Sequence, residues 1–191
     1  QSMPLQGDLG RLSIAEDVQF KQCQLFGGAM AILLPVSFID VSTMREIPDT
    51  QECWADAGTS DQSFIIEILG LDDTVADEDS PKFYWDDLVS LNEAAQNPED
   101  TAVQSVCAVT ADFEETFKSV PPTDAKVAEP SCWLLQGKQL VSKFKEHDRN
   151  TVKIYMAVMR LPSVDSDIVI HLNLPLSLAP ASSSAAVAET G

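Results

Sequence analysis

Apolar positions along this chain fall into short alternating runs separated by glycines, prolines and acids, a pattern of strands more than of long helices. Phe20 to Phe26 (FKQCQLF) alternates faces, Gly27 and Gly28 interrupt it, and AMAILLP runs from Ala29 to Pro35. Two such runs around a glycine pair predict a hairpin, since a helix would have to hold both glycines at roughly 1 kcal/mol each. Phe38 and Ile39 continue the core. Asp40 or Ser42 is placed to cap a short helix, with Thr43 and Glu46 at capping-box spacing, and Pro48 ends it. Asp49 and Thr50 then turn the chain into QECWA, a predicted strand, and SFIIEILGL (Ser63 to Leu71) is another.

Further on, Ser80 and Pro81 open a helix over residues 82–95, in which Tyr84, Leu88 and Leu91 recur at helical spacing with Phe83 and Trp85 flanking them. Residues 96–130 read as a strand (AVQSVCAVT), a short amphipathic helix (ADFEETFKSV) and a proline-bearing linker. CWLLQGKQLVSKF (Cys132 to Phe144) reads as strand, turn at Gly137, strand. Thr151 to Pro162 and Asp167 to Pro175 are two more strands joined by SVDS. The expected class is therefore α+β, with one mainly antiparallel sheet and helices against it. Residues 1–18 form an N-terminal arm, Gln1 and Ser2 having the look of a cloning remnant; residues 19–178 form one domain with a long acidic connection at 96–130; and 179–191, APASSSAAVAETG with its neighbours, is a disordered tail.

Charge sharpens this picture. The net charge is −18, and residues 40–130 carry all of it, with 22 acids against 4 bases. Such a field repels nucleic acid and anionic membrane and speeds encounter with a basic partner. No run reaches the roughly 18 apolar residues of a membrane span. The four cysteines, Cys23, Cys53, Cys107 and Cys132, are widely spaced, form no CxxC pair and suit buried reduced thiols.

Catalytic signals are weak. His147 lies in a charged turn and His171 alternates within a strand, and neither stands near a nucleophile motif. DDTVADED (Asp72 to Asp79) has five acids in eight positions but lacks the glycine and terminal glutamate of a calcium loop, so neither a metal nor another cofactor is expected. The distinctive constellation is IDVSTMREIPDTQE, Ile39 to Glu52. There Asp49 and Glu52 sit three apart beyond Pro48 at a helix-to-strand junction, where a scaffold displays binding groups. Taken alone, these acids are better explained as a turn residue and an exposed strand residue.

LFGGAM, IDVSTMREIPDTQE, DQSFIIEIL, YWDDLVSLN, LLQGKQ and VMRLPSVDSDIVIHLNLP stand in the order found in the Ran guanine nucleotide release factors, the family founded by the yeast Mog protein, which this chain resembles over about two thirds of its length. The resemblance implies a PsbP-like α/β/α sandwich with a roughly six-stranded sheet. It further implies a monomer that is not an enzyme, acts in nucleus and cytoplasm, binds the small GTPase Ran in its GTP-bound or nucleotide-free form, promotes release of its nucleotide and supports nuclear transport, with a Ran-binding protein as a further partner. In the family the aspartate and glutamate after the proline are the main Ran-binding acids, here Asp49 and Glu52; Asp40, Arg45 and Asp61 lie in the same blocks and carry over with them.

Overall fold

The protein is described from a computed structural model, which covers residues 18–58, 60–92, 94, 100–109, 129–142 and 149–177. The chain divides into two compact units, residues 1–36 and 37–191.

In the first unit, β1 (Phe20–Leu25) and β2 (Met30–Pro35) form an antiparallel hairpin, as the glycine pair predicts. The turn between them places Phe26, Gly27 and Gly28 at φ 50°, 66° and 96°. Only glycine adopts the last two readily. Alternation along β1 buries Cys23 and Leu25 and leaves Phe20 on the outer side.

In the second unit, seven strands form one sheet in the order β3-β4-β5-β9-β8-β7-β6, every neighbouring pair antiparallel. They are β3 (Phe38–Asp40), β4 (Gln51–Asp56), β5 (Ser63–Gly70), β6 (Thr101–Ala108), β7 (Ser131–Ser142), β8 (Arg149–Leu161) and β9 (Ser166–Ser177). The expected count of about six becomes seven, because the 38–40 segment is itself a strand, paired to β4. One α-helix, α1 (Ser80–Leu91), is present among the described residues. The helix expected at 111–120, the linker after it, His147 and the tail at 179–191 lie outside them.

Strand β8 shows how the sheet packs against the helix. Every second residue from Asn150 to Arg160 is buried and the residues between are half-buried, a strict period of two over 13 residues. The buried set, Val152, Ile154, Met156 and Val158, meets Trp85, Tyr84 and Val89 of α1 together with Leu135 and Val169. The helix buries Pro81, Tyr84, Trp85 and Val89, so the centre of its inner face lies near Trp85 and Leu88. Leu91 falls about 90° from that centre, and it is 72% exposed, contrary to the expected Tyr84, Leu88, Leu91 stripe.

Gly137 is a second correction. The predicted turn does not form; β7 runs unbroken for 12 residues with Gly137 paired to Ile154. A Cβ at Gly137 would stand 2.2 to 2.8 Å from the indole of Trp85, so the glycine is where the largest helix side chain presses onto the sheet. The short helix expected after Asp40 forms as a single 3-10 turn, Val41–Thr43, with Asp40 as its cap.

Candidate functional site

The segment Asp40 to Glu52 closes β3 onto β4, and it is built from local hydrogen bonds. Asp40 ends β3 and its Oδ1 accepts from the Ser42 N–H at 2.8 Å, while the Thr43 hydroxyl donates to the Asp40 carbonyl at 2.7 Å. These are the side-chain bonds that cap a helix start, and here they hold one turn. Arg45 N–H donates to the Val41 carbonyl at 3.1 Å and Gln51 N–H to that of Pro48 at 2.9 Å. The second bond closes the turn that carries exposed Asp49 into β4.

Glu52 and Trp54 share one face of β4, and Gln51, Cys53 and Ala55 the other. Asp40 pairs with Trp54, which puts it on the Glu52 face as a diagonal neighbour, roughly 7–8 Å away. Arg45 turns toward the other face. Burial raises the Cys53 thiol, a hydrogen bond and the charge of Arg45 lower it, and Asp40 raises it again. Arg45 is thus joined to the strand it overlies. Asp61 is apart from these four. It sits at φ 51° in the turn after β4, at the opposite end of that strand, about 15 Å from Glu52 along the strand direction.

The sheet brings more acids to the Asp49 end. Ile68 N–H donates to the Thr50 carbonyl at 2.9 Å, so the end of β5 lies beside the start of β4. From there the chain enters the acidic loop 72–79, and Leu71 N–H reaches the Asp165 carbonyl at 3.2 Å in the β8–β9 turn. The loop is fastened from within by a residue whose role the sequence left unread. Arg160, 2% exposed on β8, donates to the Asp72 carbonyl at 2.6 Å and to the Val75 carbonyl, and pairs with Asp77 at 3.2 Å and Asp167 at 3.3 Å. Tyr84 donates its hydroxyl to Asp167 at 2.7 Å. Burial and the Asp167 carboxylate push the phenol far above its usual range. One weak signal was available: an arginine in an otherwise apolar strand, VMRLP, seven residues before Asp167.

The geometry offers no Cys–His pair at Cys53. Cys53, Ile65 and His171 lie in one cross-sheet row on the same face, so Ile65 separates the thiol from the imidazole by two strand spacings, about 10 Å. His171 Nε2 is buried without a hydrogen-bond partner, and burial lowers its pKa to about 4. No helix among the described residues is long and apolar enough to cross a membrane.

Comparison with known proteins assigns the family. The model of the Ran-interacting Mog1 protein matches residues 23–175. A Ran guanine nucleotide release factor of Danio rerio is 39% identical over 164 residues, covering 85% of this chain and 82% of that protein. The nuclear import protein MOG1 of Saccharomyces cerevisiae is 30% identical over 177 residues, covering 85% and 69%. Among solved structures, the Saccharomyces cerevisiae Ran-binding protein Mog1p superposes with a TM-score of 0.59 at 24% identity, covering 84% of this chain and 79% of that one, which shows a shared fold. An acidic turn seated on an antiparallel sheet, within a match that spans both units, therefore belongs to a chain of the Ran-interacting Mog1 protein family.

Proposed function

We propose that this protein binds the GTPase Ran and promotes release of its guanine nucleotide in support of nuclear protein transport, acting by binding and not as an enzyme. The observation that carries this reading is the family match over residues 23–175, which contains the whole Asp40–Glu52 turn. Residues 19–178 act in it as one Ran-binding unit, monomeric, in nucleus and cytoplasm, on Ran in its GTP-bound or nucleotide-free form, with a Ran-binding protein as a further partner. The acidic excess of residues 40–130 favours a basic protein surface over nucleic acid or membrane.

Asp49 and Glu52 are the proposed gripping acids, with Asp40 fixing the turn beneath them and Arg45 tying it to Cys53. Asp61, at the far end of β4, belongs to the surface only if Ran reaches along the strand. A GTPase holds its nucleotide through phosphate-loop amides, a lysine and Mg²⁺. A partner expels the nucleotide only by binding the emptied state better than the loaded one. Acids pairing with Ran lysines or arginines supply that difference when they favour a conformation with weaker nucleotide contacts.

The test is release of a fluorescent guanine nucleotide from Ran, with and without this protein. Wild type speeds release; Glu52→Lys, which places a cation against the same basic surface, abolishes both release and capture, since losing one close charged pair costs roughly 2–5 kcal/mol. Undiminished Ran capture by folded Glu52→Lys overturns the assignment of the acids. Capture with an unchanged off-rate would identify a non-exchanging adaptor instead.

A further inference from the structure

Within the second unit, three chain reversals meet at one end of the sheet: the turn 41–50 before β4, the loop 71–79 between β5 and α1, and the turn 162–165 between β8 and β9. Each carries acids, among them Asp49, Asp72, Asp73, Asp79 and Asp165. Each also presents, at its apex or on the first turn of the helix it leads into, a large apolar side chain to solvent: Met44 is 65% exposed, Val164 63% and Phe83 44%. Elsewhere in this unit exposed apolar side chains stand on single elements, such as Leu91 late in α1 and Val103 and Val106 on β6. Apolar side chains interspersed with charges of one sign are the composition of a protein-binding face, whose centre is apolar and whose rim is polar.

The three reversals are also held in place. Arg160 bonds the carbonyls of Asp72 and Val75 from below, and Tyr84, anchored on Asp167, packs edge to face against Phe83 with ring centroids 5.1 Å apart. Asp165 takes a left-handed φ of 52°, closing the turn beneath Val164. Such fastening lowers the entropy cost of association. From β4 to β8 is three strand spacings, about 14 Å. An ordinary interface takes roughly 20–30 residues from each partner, more than the turn 41–50 alone contains.

We propose that the Ran footprint runs across this whole end, with Val164, Met44 and Phe83 as its apolar anchors and Asp49, Asp72, Asp79 and Asp165 as an acidic surround for lysines and arginines of the GTPase. This rests on the Ran-binding reading given above and extends it beyond Asp49 and Glu52 to two further loops. The single occupant is argued from charge complementarity and from continuity with the Asp40–Glu52 turn.

The experiment measures affinity of the full chain for purified Ran by calorimetry, for wild type, Glu52→Lys, Val164→Asp, Phe83→Ala and Asp165→Asn, with circular dichroism as the folding control. Asparagine tolerates the left-handed conformation, so Asp165→Asn changes charge and little else. Val164→Asp and Phe83→Ala each weaken binding about tenfold, the effect of losing a central anchor. Asp165→Asn weakens it less, and its loss shrinks at high salt. Wild-type affinity in Val164→Asp and Phe83→Ala, with loss confined to Glu52→Lys, overturns the extended footprint and leaves the Ran-binding reading standing. Loss in the anchor variants with full binding by Glu52→Lys keeps the footprint and removes the acid pair from it. Failure of wild type to bind Ran overturns both.

Discussion

The helix-covered side of the sheet and the acidic end of the same unit are built on opposite terms. Under α1, side chains are fixed by volume: Trp85 lies where Gly137 has no Cβ, and β8 offers an alternating apolar floor. At the acidic end, almost nothing is fixed by apolar packing. Backbone bonds, a cap from Asp40 and the buried Arg160 hold three reversals whose apolar and acidic side chains point to solvent. Substitution under the helix is therefore expected to read out as stability, and substitution at the proposed rim as partner affinity. Arg160 is the exception that joins the two, since it is buried with the core and bonded to the loop.

That exception is the sharpest way to break the contrast. Arg160→Met strips Asp167 of its buried cation and frees two loop carbonyls, and removing one partner of a buried pair costs about 3–5 kcal/mol. Denaturant unfolding measures the loss, and hydrogen exchange locates its second half in residues 71–79. Gly137→Ala comes next. Its methyl overlaps the Trp85 indole, which must shift, at roughly 1–3 kcal/mol by the measure of overpacked cores. Ran affinity of the folded fraction stays at the wild-type value, because the strain lies under the helix.

A smaller effect separates core from rim by pH. His171 is held neutral by burial, its pKa lowered from 6.5 to about 4. An unfolded chain binds that proton below about 6.5 while the folded one does not until about 4, so stability falls as pH falls through this window. At about 1.36 kcal/mol per pH unit, the loss between pH ~7 and pH ~5 is roughly 2 kcal/mol. His171→Leu removes that slope from the denaturant midpoints. An unchanged slope would mean that carboxylates, not this imidazole, set the acid limb.

Much of this organisation is legible in residue order, for identifiable reasons. Alternating or continuous short apolar runs mark β1, β2, β4, β5, β8 and β9, and Ser80-Pro81 marks the start of α1 to within two residues, because both signals arise between near neighbours. The acidic turn was visible as well, since Pro48 and the spacing of Asp49 and Glu52 are local. Gly137 was misread as a turn because its requirement comes from Trp85, 52 residues earlier and on another element.

What the order of residues determined by itself, then, is the set of elements and their signs of charge: strands, one helix start, an acidic middle. Tertiary structure decided which of those elements meet. It laid α1 on β7 and β8, buried Arg160 beneath a loop more than 80 residues away in the chain, and gathered Met44, Val164 and Phe83 to one end. The physical reason is that alternation and capping act over a few residues, whereas a sheet edge, a buried charge and a shared surface exist only once distant segments have paired.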